Sequence, residues 1–200
     1  MSEVLGLSAA LGMSSALLDL IFAVAAGALT LLNILLLLTV FTNILKLWPT
    51  PSPRSWQHYT FWPLFRGGLG LTLLYAALTF PWPGGEDLPR VLLAFLMMGV
   101  GFGFLIYGYF DLGIGNTYGS DDGLVTKGLY RYSRNPQYVA SIIGFSGVAL
   151  AHAGGVVLIL CGLALLVYLL LPFAEEPWLA EAYGSEYESY RERTPRFLVF

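Results

Sequence analysis

Two short polar blocks hold most of the side chains able to do chemistry. The first reads Gly123-Leu-Val-Thr-Lys-Gly-Leu-Tyr-Arg-Tyr-Ser-Arg-Asn-Pro-Gln-Tyr138, and the second runs from Pro172 through Glu175 and Glu176 to Arg196. Asn135-Pro136 has the form of a helix start. Proline suits the first helical position, and asparagine is a plausible N-cap. A helix N-terminus offers free N–H groups and the positive end of the dipole, a seat for a carboxylate or phosphate. Glu175 and Glu176 follow an apolar run, at what should be a helix C-terminus. Acidic groups are unfavourable there, so a cationic partner explains them better. An anion seat near a cation seat suits a zwitterionic small molecule.

The elements that position these blocks are apolar. The chain has 200 residues, 56 % of them hydrophobic and only 12 % charged, about half the usual charged share of a soluble domain. Mean hydropathy is +0.69. This excludes a soluble, fibrous or disordered chain and points to one all-α polytopic membrane domain over 1–200. The runs Leu20–Leu45, Phe61–Phe80, Val91–Phe110, Tyr138–His152 and Val156–Phe173 predict five transmembrane helices. The second is the weakest. Pro63 and Arg66 interrupt it, and its clean part, Gly67–Phe80, is short. Trp48-Pro49-Thr-Pro51-Ser-Pro53 ends the first helix, and Ala153-Gly154-Gly155 joins the last two into a hairpin over 138–173. A charged amphipathic tail follows from Trp178.

Loop charge orients the set. With the N-terminus outside, Lys46, Arg54, Arg66, Lys127, Arg131, Arg134, Arg191, Arg193 and Arg196 lie on the cytoplasmic side. Only Arg90 lies outside. That asymmetry follows the positive-inside rule. The start of the chain lacks a basic signal-peptide region, which fits a retained helix in a prokaryotic inner membrane. A hairpin returns the chain to the side it left, so Asn135-Pro136 and Glu175-Glu176 should meet at the cytoplasmic face.

These residues carry a resemblance. Gly128-Leu-Tyr130, Arg134-Asn-Pro-Gln-Tyr138, Glu175-Glu176 and Tyr183-Gly-Ser-Glu-Tyr187 with Thr194-Pro-Arg196 resemble the integral membrane methyltransferases that use S-adenosylmethionine. That superfamily includes phospholipid N-methyltransferases and isoprenylcysteine carboxyl methyltransferases. The likeness covers about 113–197, which becomes the expected cofactor-binding and catalytic part. It implies that Pro136 and Tyr138 stand at cofactor-binding positions, with Asn135 in place of the family's histidine and Gln137 between them. It implies that Glu175 and Glu176 contact the cofactor, and that Leu124, Val125 and Tyr130 line its cleft. Arg131, Arg134 and Arg196 are candidates for lipid head groups or for closing over the cofactor.

Two departures choose a branch. The carboxyl methyltransferases place an arginine at the end of the fifth helix; here the residues are Leu169-Leu170-Leu171. Asn135–Tyr138 and Glu175–Pro177 look like the phospholipid N-methyltransferases. The reading is therefore methyl transfer to a phospholipid amine such as phosphatidylethanolamine. An ammonium must lose a proton before it attacks, and Glu176 with Asp121 or Asp122 is placed to steer the cation and relay the proton. The alternatives are methylation of a carboxyl or other oxygen on an isoprenoid-like substrate, an NADPH-dependent membrane reductase, and a small transporter or scaffold. The first lacks its arginine and the second a phosphate-binding cluster; the third lacks mid-bilayer polar groups beyond Asn33 and Asp19. No metal is expected, because Cys161 is the lone cysteine and His58 and His152 are far apart. No basic surplus marks a nucleic-acid binder, since the net charge is −3.

Overall fold

A computed structural model describes residues 11–42, 44–112 and 123–198. Five α-helices are present among them: α1, Ser15–Phe41; α2, Trp56–Leu78; α3, Leu88–Leu112; α4, Pro136–His152; and α5, Val156–Arg193. Short 3₁₀ turns at Gly85–Asp87 and Gly128–Arg131 precede α3 and α4. The described residues contain no strand. Four helices, α1, α2, α3 (with its preceding turn) and α5, are long and apolar enough to cross a membrane. The fifth, α4, has 17 residues, about 26 Å at ~1.5 Å per residue, slightly less than a ~30 Å hydrocarbon core.

Local chemistry sets the boundaries. The hydroxyls of Ser14 and Ser55 accept from the N–H groups of Leu17 and His58 and so cap α1 and α2. The α4–α5 link turns through Ala153 at φ 52° and Gly155 at φ 68°, the tight connection expected of Ala153-Gly154-Gly155. Arg90 donates to the carbonyls of Leu150 and Ala151 at 2.6 and 2.7 Å. A cation thus sits at the C-terminal, negative end of α4. His152 bonds the carbonyl of Ala76 at the same end.

Two segments differ from their sequence reading. The second helix starts at Trp56 and runs unbroken through Pro63 and Arg66. Pro63 lies in its second turn, where one missing N–H costs little continuity, and the Arg66 guanidinium stacks on the Trp62 ring at 4.4 Å. The tail is no separate element. It continues α5 through Pro172 and Pro177, and Gly184, at φ 51° and ψ −126°, turns the last stretch aside. Only glycine enters that region freely.

The core has two seams. In one, Ala25, Leu29, Leu32 and Leu36 of α1 and Leu160, Ala164, Val167 and Leu171 of α5 are buried at heptad-like spacing. Asn33 bridges this seam, donating to Leu29 O and Leu163 O at 2.9 and 3.0 Å. In the other, α3 and α4 meet almost backbone to backbone. A Cβ on Gly101 would collide with the Gly144 nitrogen and lie 2.7 Å from the Ala140 carbonyl. Gly101→Ile is expected to cost about 3 kcal/mol or more through overpacking, a fall of ~6–12 °C in Tm. Gly103→Ala is the control, because a Cβ there meets nothing within 4 Å.

Candidate active site

The seams leave a cavity of about 140 Å³ at the end of the bundle where α4 begins. Its wall is built from the α1–α2 loop, α2, α3, the segment before α4, and α5. The site grows from the N-terminus of α4. Pro136 occupies the first turn. The N–H groups of Gln137 and Tyr138 follow within that turn, where a helix has no carbonyl to offer them. Both residues line the cavity. Asn135 does not cap α4 with its side chain. Its N–H binds the Ser133 hydroxyl and its amide donates to the Arg196 carbonyl at 3.1 Å.

The segment before α4 is held from both sides. The Asp111 carboxylate at the end of α3 accepts from Leu129 N–H at 2.7 Å. Gly128, at φ 61°, leaves room for that carboxylate, which a Cβ would strike. The Tyr190 hydroxyl donates to the Tyr130 carbonyl at 2.6 Å, so Tyr130 is buried with its side chain at the cavity. Neither Asp111 nor Tyr190 stood out in the sequence.

The paired glutamates do different things. Glu175 lines the cavity and accepts the Tyr138 hydroxyl at 2.8 Å. Just beyond the apolar part of α5, burial pushes its carboxyl above the ordinary range. The Tyr138 bond and the nearby Trp48 indole pull it back only in part, and the Glu176 charge adds to the rise. Glu176 is turned away, into an arginine clamp. Arg134 Nη2 approaches Oε1 at 2.9 Å and Arg196 Nη2 approaches Oε2 at 2.6 Å, with each Nε also donating to Oε1. Burial opposes the charge on Glu176, but these bonds and the two positive charges outweigh it and hold the carboxyl below its ordinary range.

The clamp closes the tail onto α4. Arg134 also donates to the carbonyls of Arg191 and Thr194, and its N–H binds Pro195 O at 2.8 Å. The Arg196 guanidinium lies 4.0 Å over the Phe173 ring. Thus Leu124, Val125, Tyr130, Arg134, Asn135, Gln137, Tyr138 and Glu175 all border the cavity. Pro136, Glu176 and Arg196 stand behind its wall, and Arg131 is exposed. Asp121 and Asp122 lie outside the described residues.

Sequence reasoning missed the wall supplied by the first two helices. Trp48, Phe61, Trp62 and Phe65 line the cavity. So does Tyr187, whose hydroxyl burial pushes up to about 12. The Trp48 indole N–H and the Tyr187 hydroxyl are buried without a hydrogen-bond partner. A cleft with open helical N–H groups, two unpaired polar atoms and a carboxylate fits a ligand that carries both charges. That describes S-adenosylmethionine, with its carboxylate and its ammonium and sulfonium cations. Among the described residues, no group of His, Cys, Asp and Glu is arranged to hold a metal.

Residues 89–186 match the family model described as phospholipid methyltransferase. The match spans α3, α4 and α5 as far as its kinked end. No curated protein and no solved structure matches the chain significantly. The phospholipid methyltransferase match, laid over three of the helices that border the cavity, is consistent with the integral membrane methyltransferase superfamily.

Proposed function

We propose that the protein transfers a methyl group from S-adenosylmethionine to the amine of a phospholipid, phosphatidylethanolamine being the simplest example. The observation that carries this reading is the sign of the charge facing the cavity. Of the described residues on its wall, two are charged, Arg134 and Glu175. Arg134 is committed to Glu176 and to two carbonyls. Glu175 has no cationic partner among the described ion pairs. A cavity presenting a lone carboxylate favours an ammonium substrate. It disfavours the carboxylate of the O-methyl alternative and the nucleotide phosphates of the reductase.

S-adenosylmethionine, when bound, supplies an electrophilic methyl carbon on a positively charged sulfur. The residues position, desolvate and move a proton. The amine enters as an ammonium, with a pKa near the ~10 of a lysine-type group. Glu175, whose affinity for protons burial raises, accepts the N–H proton. Loss of that proton to Glu175 leaves the amine nitrogen with a free lone pair, the form that could take up the methyl group S-adenosylmethionine would supply, with its sulfur as the leaving group. Glu176 serves as a positioning residue through Arg134 and Arg196. Phe65, Leu105 and Leu171 give apolar cover to the lipid beyond its head group. The excess of basic residues at this end supports a cytoplasmic site in this reading, with α4 proposed as a fifth, short span and the N-terminus outside.

The test is transfer of labelled methyl from S-adenosylmethionine to phosphatidylethanolamine vesicles by the reconstituted protein. The expected result is label in the lipid extract that survives mild base. Base-labile label, released as methanol, would instead identify a carboxyl ester and overturn the amine reading.

A further inference from the structure

The cavity wall contributed from outside the matched region is aromatic, and its rings are contiguous. Trp48 stacks on Phe61 with centroids 4.3 Å apart, and Phe61 on Phe65 at 5.2 Å. Phe65 meets Tyr168 edge to face at 5.8 Å, and Tyr168 lies 6.2 Å from Tyr138. All five rings border the cavity. The chain of rings ends where the Tyr138 hydroxyl donates to Glu175.

Aromatic faces carry the negative lobes of the π system and attract a cation, most strongly at tryptophan. A metal ion loses too much hydration to gain from such a wall. A cation whose charge is spread over carbon substituents loses less. The single carboxylate supplies the counter-charge. Trp48 adds a second feature. It is 5 % exposed, yet its indole N–H has no hydrogen-bond partner. It faces Glu175 and Tyr138 closely enough to act on both as a donor, though neither contact meets full hydrogen-bond geometry. A buried donor beside a cation seat matches a ligand whose cation neighbours an oxyanion.

We propose that this wall, with Trp48 at its head and Glu175 at its foot, binds an onium cation, and that Trp48 sets the site's preference for it. The inference rests on the methyltransferase reading and deepens it. The onium has two possible sources, the amine head group of the lipid and the sulfonium of S-adenosylmethionine. Either source makes the α1–α2 loop part of the active site.

The experiment titrates detergent-purified full-length protein with three probes by calorimetry. They are S-adenosylmethionine; S-adenosylhomocysteine, which lacks the positive sulfur; and short-chain phosphatidylcholine, which presents a trimethylammonium. Wild type, Trp48→Leu and Trp48→Phe are compared. If the wall holds the sulfonium, Trp48→Leu weakens S-adenosylmethionine about tenfold and leaves S-adenosylhomocysteine unchanged. If it holds the head group, only phosphatidylcholine weakens by that factor. In both cases Trp48→Phe, which keeps a ring, recovers most of the loss. Unchanged binding of all three probes, or an equal loss of all three, overturns the proposal. Should Trp48→Leu fail to fold, Phe65→Leu on the same wall gives the same readings. A wild-type protein that binds neither adenosyl compound defeats the methyltransferase reading, while the phosphatidylcholine titration still decides the onium site.

Discussion

Replacing Glu175 with glutamine is expected to lower methyl transfer by at least a hundredfold while leaving the protein as stable as before, or more so. Glutamine keeps an oxygen for the Tyr138 hydroxyl but has no charge for a cation and cannot take its proton. General-base losses of this kind run to about 10²–10⁴-fold. The stability effect has the opposite sign because the native protein holds the carboxyl above its ordinary range. Such a group stabilises the fold when protonated. That contribution is complete below the unfolded pKa of ~4.3 and is lost as pH rises through the higher folded value. Activity needs the anion and therefore fails on acidification earlier than an ordinary carboxylate would require. The groups facing Glu175 are Tyr138 and Tyr130 from α4 and the segment before it, Trp48 from the α1–α2 loop, and Glu176 and Tyr187 from α5. Burial raises the tyrosine hydroxyls further above neutral pH, so they stay protonated, and Glu176 is held ionised by its arginines. The acidic limb of a pH–rate profile accordingly reports Glu175 and vanishes in Glu175→Gln. An unchanged profile in the variant would show that another group titrates.

Replacing Glu176 with alanine is expected to do the reverse, damaging the fold first. The side chains of Glu176 and Arg134 are each 9 % exposed. Removing the acid leaves Arg134 in a poorly solvated place with only carbonyl partners, and Arg196 loses both its bonds to Glu176. Breaking a buried pair from one side typically costs about 3–5 kcal/mol. At this chain length that is a fall of ~6–20 °C in Tm, readable in detergent by thermal unfolding. Arg196→Ala should cost less, since its side chain is 33 % exposed and Arg134 still satisfies the carboxylate. The pH dependence again follows from the sign. A carboxyl held below its ordinary range contributes stability above the unfolded pKa of ~4.3 and loses it as pH falls through the folded value. A Glu176→Ala protein as stable as wild type would mean that the tail does not depend on the clamp.

The contrast between neighbours shows what the sequence can and cannot convey. Composition and apolar runs fix a helical membrane protein, because bilayer thickness translates directly into run length. The meeting of the Asn135-Pro136 end with Glu175-Glu176 was legible because a hairpin must bring its two ends together. The division of labour between Glu175 and Glu176 was not. Adjacent residues differ by ~100° around a helix, and nothing local says which side will meet Arg134 and Arg196. Those two arginines are separated by two helices and a kink at Gly184. Asn135 has the residue type of an N-cap, yet its amide is drawn to Arg196 O by the returning tail. Pro63 looked like a break, but its place in the second turn spares the helix. Trp48 read only as part of the proline-rich stop and Phe61 only as the start of an apolar run, because an aromatic wall is a tertiary object with no spacing of its own.

The most direct test of the account is a calorimetric titration of S-adenosylmethionine into the detergent-purified protein, with NADPH run alongside. The account expects saturable binding of S-adenosylmethionine at one site per chain and no heat from NADPH. Saturable NADPH binding with no response to S-adenosylmethionine would contradict it and move the cavity to reductase chemistry.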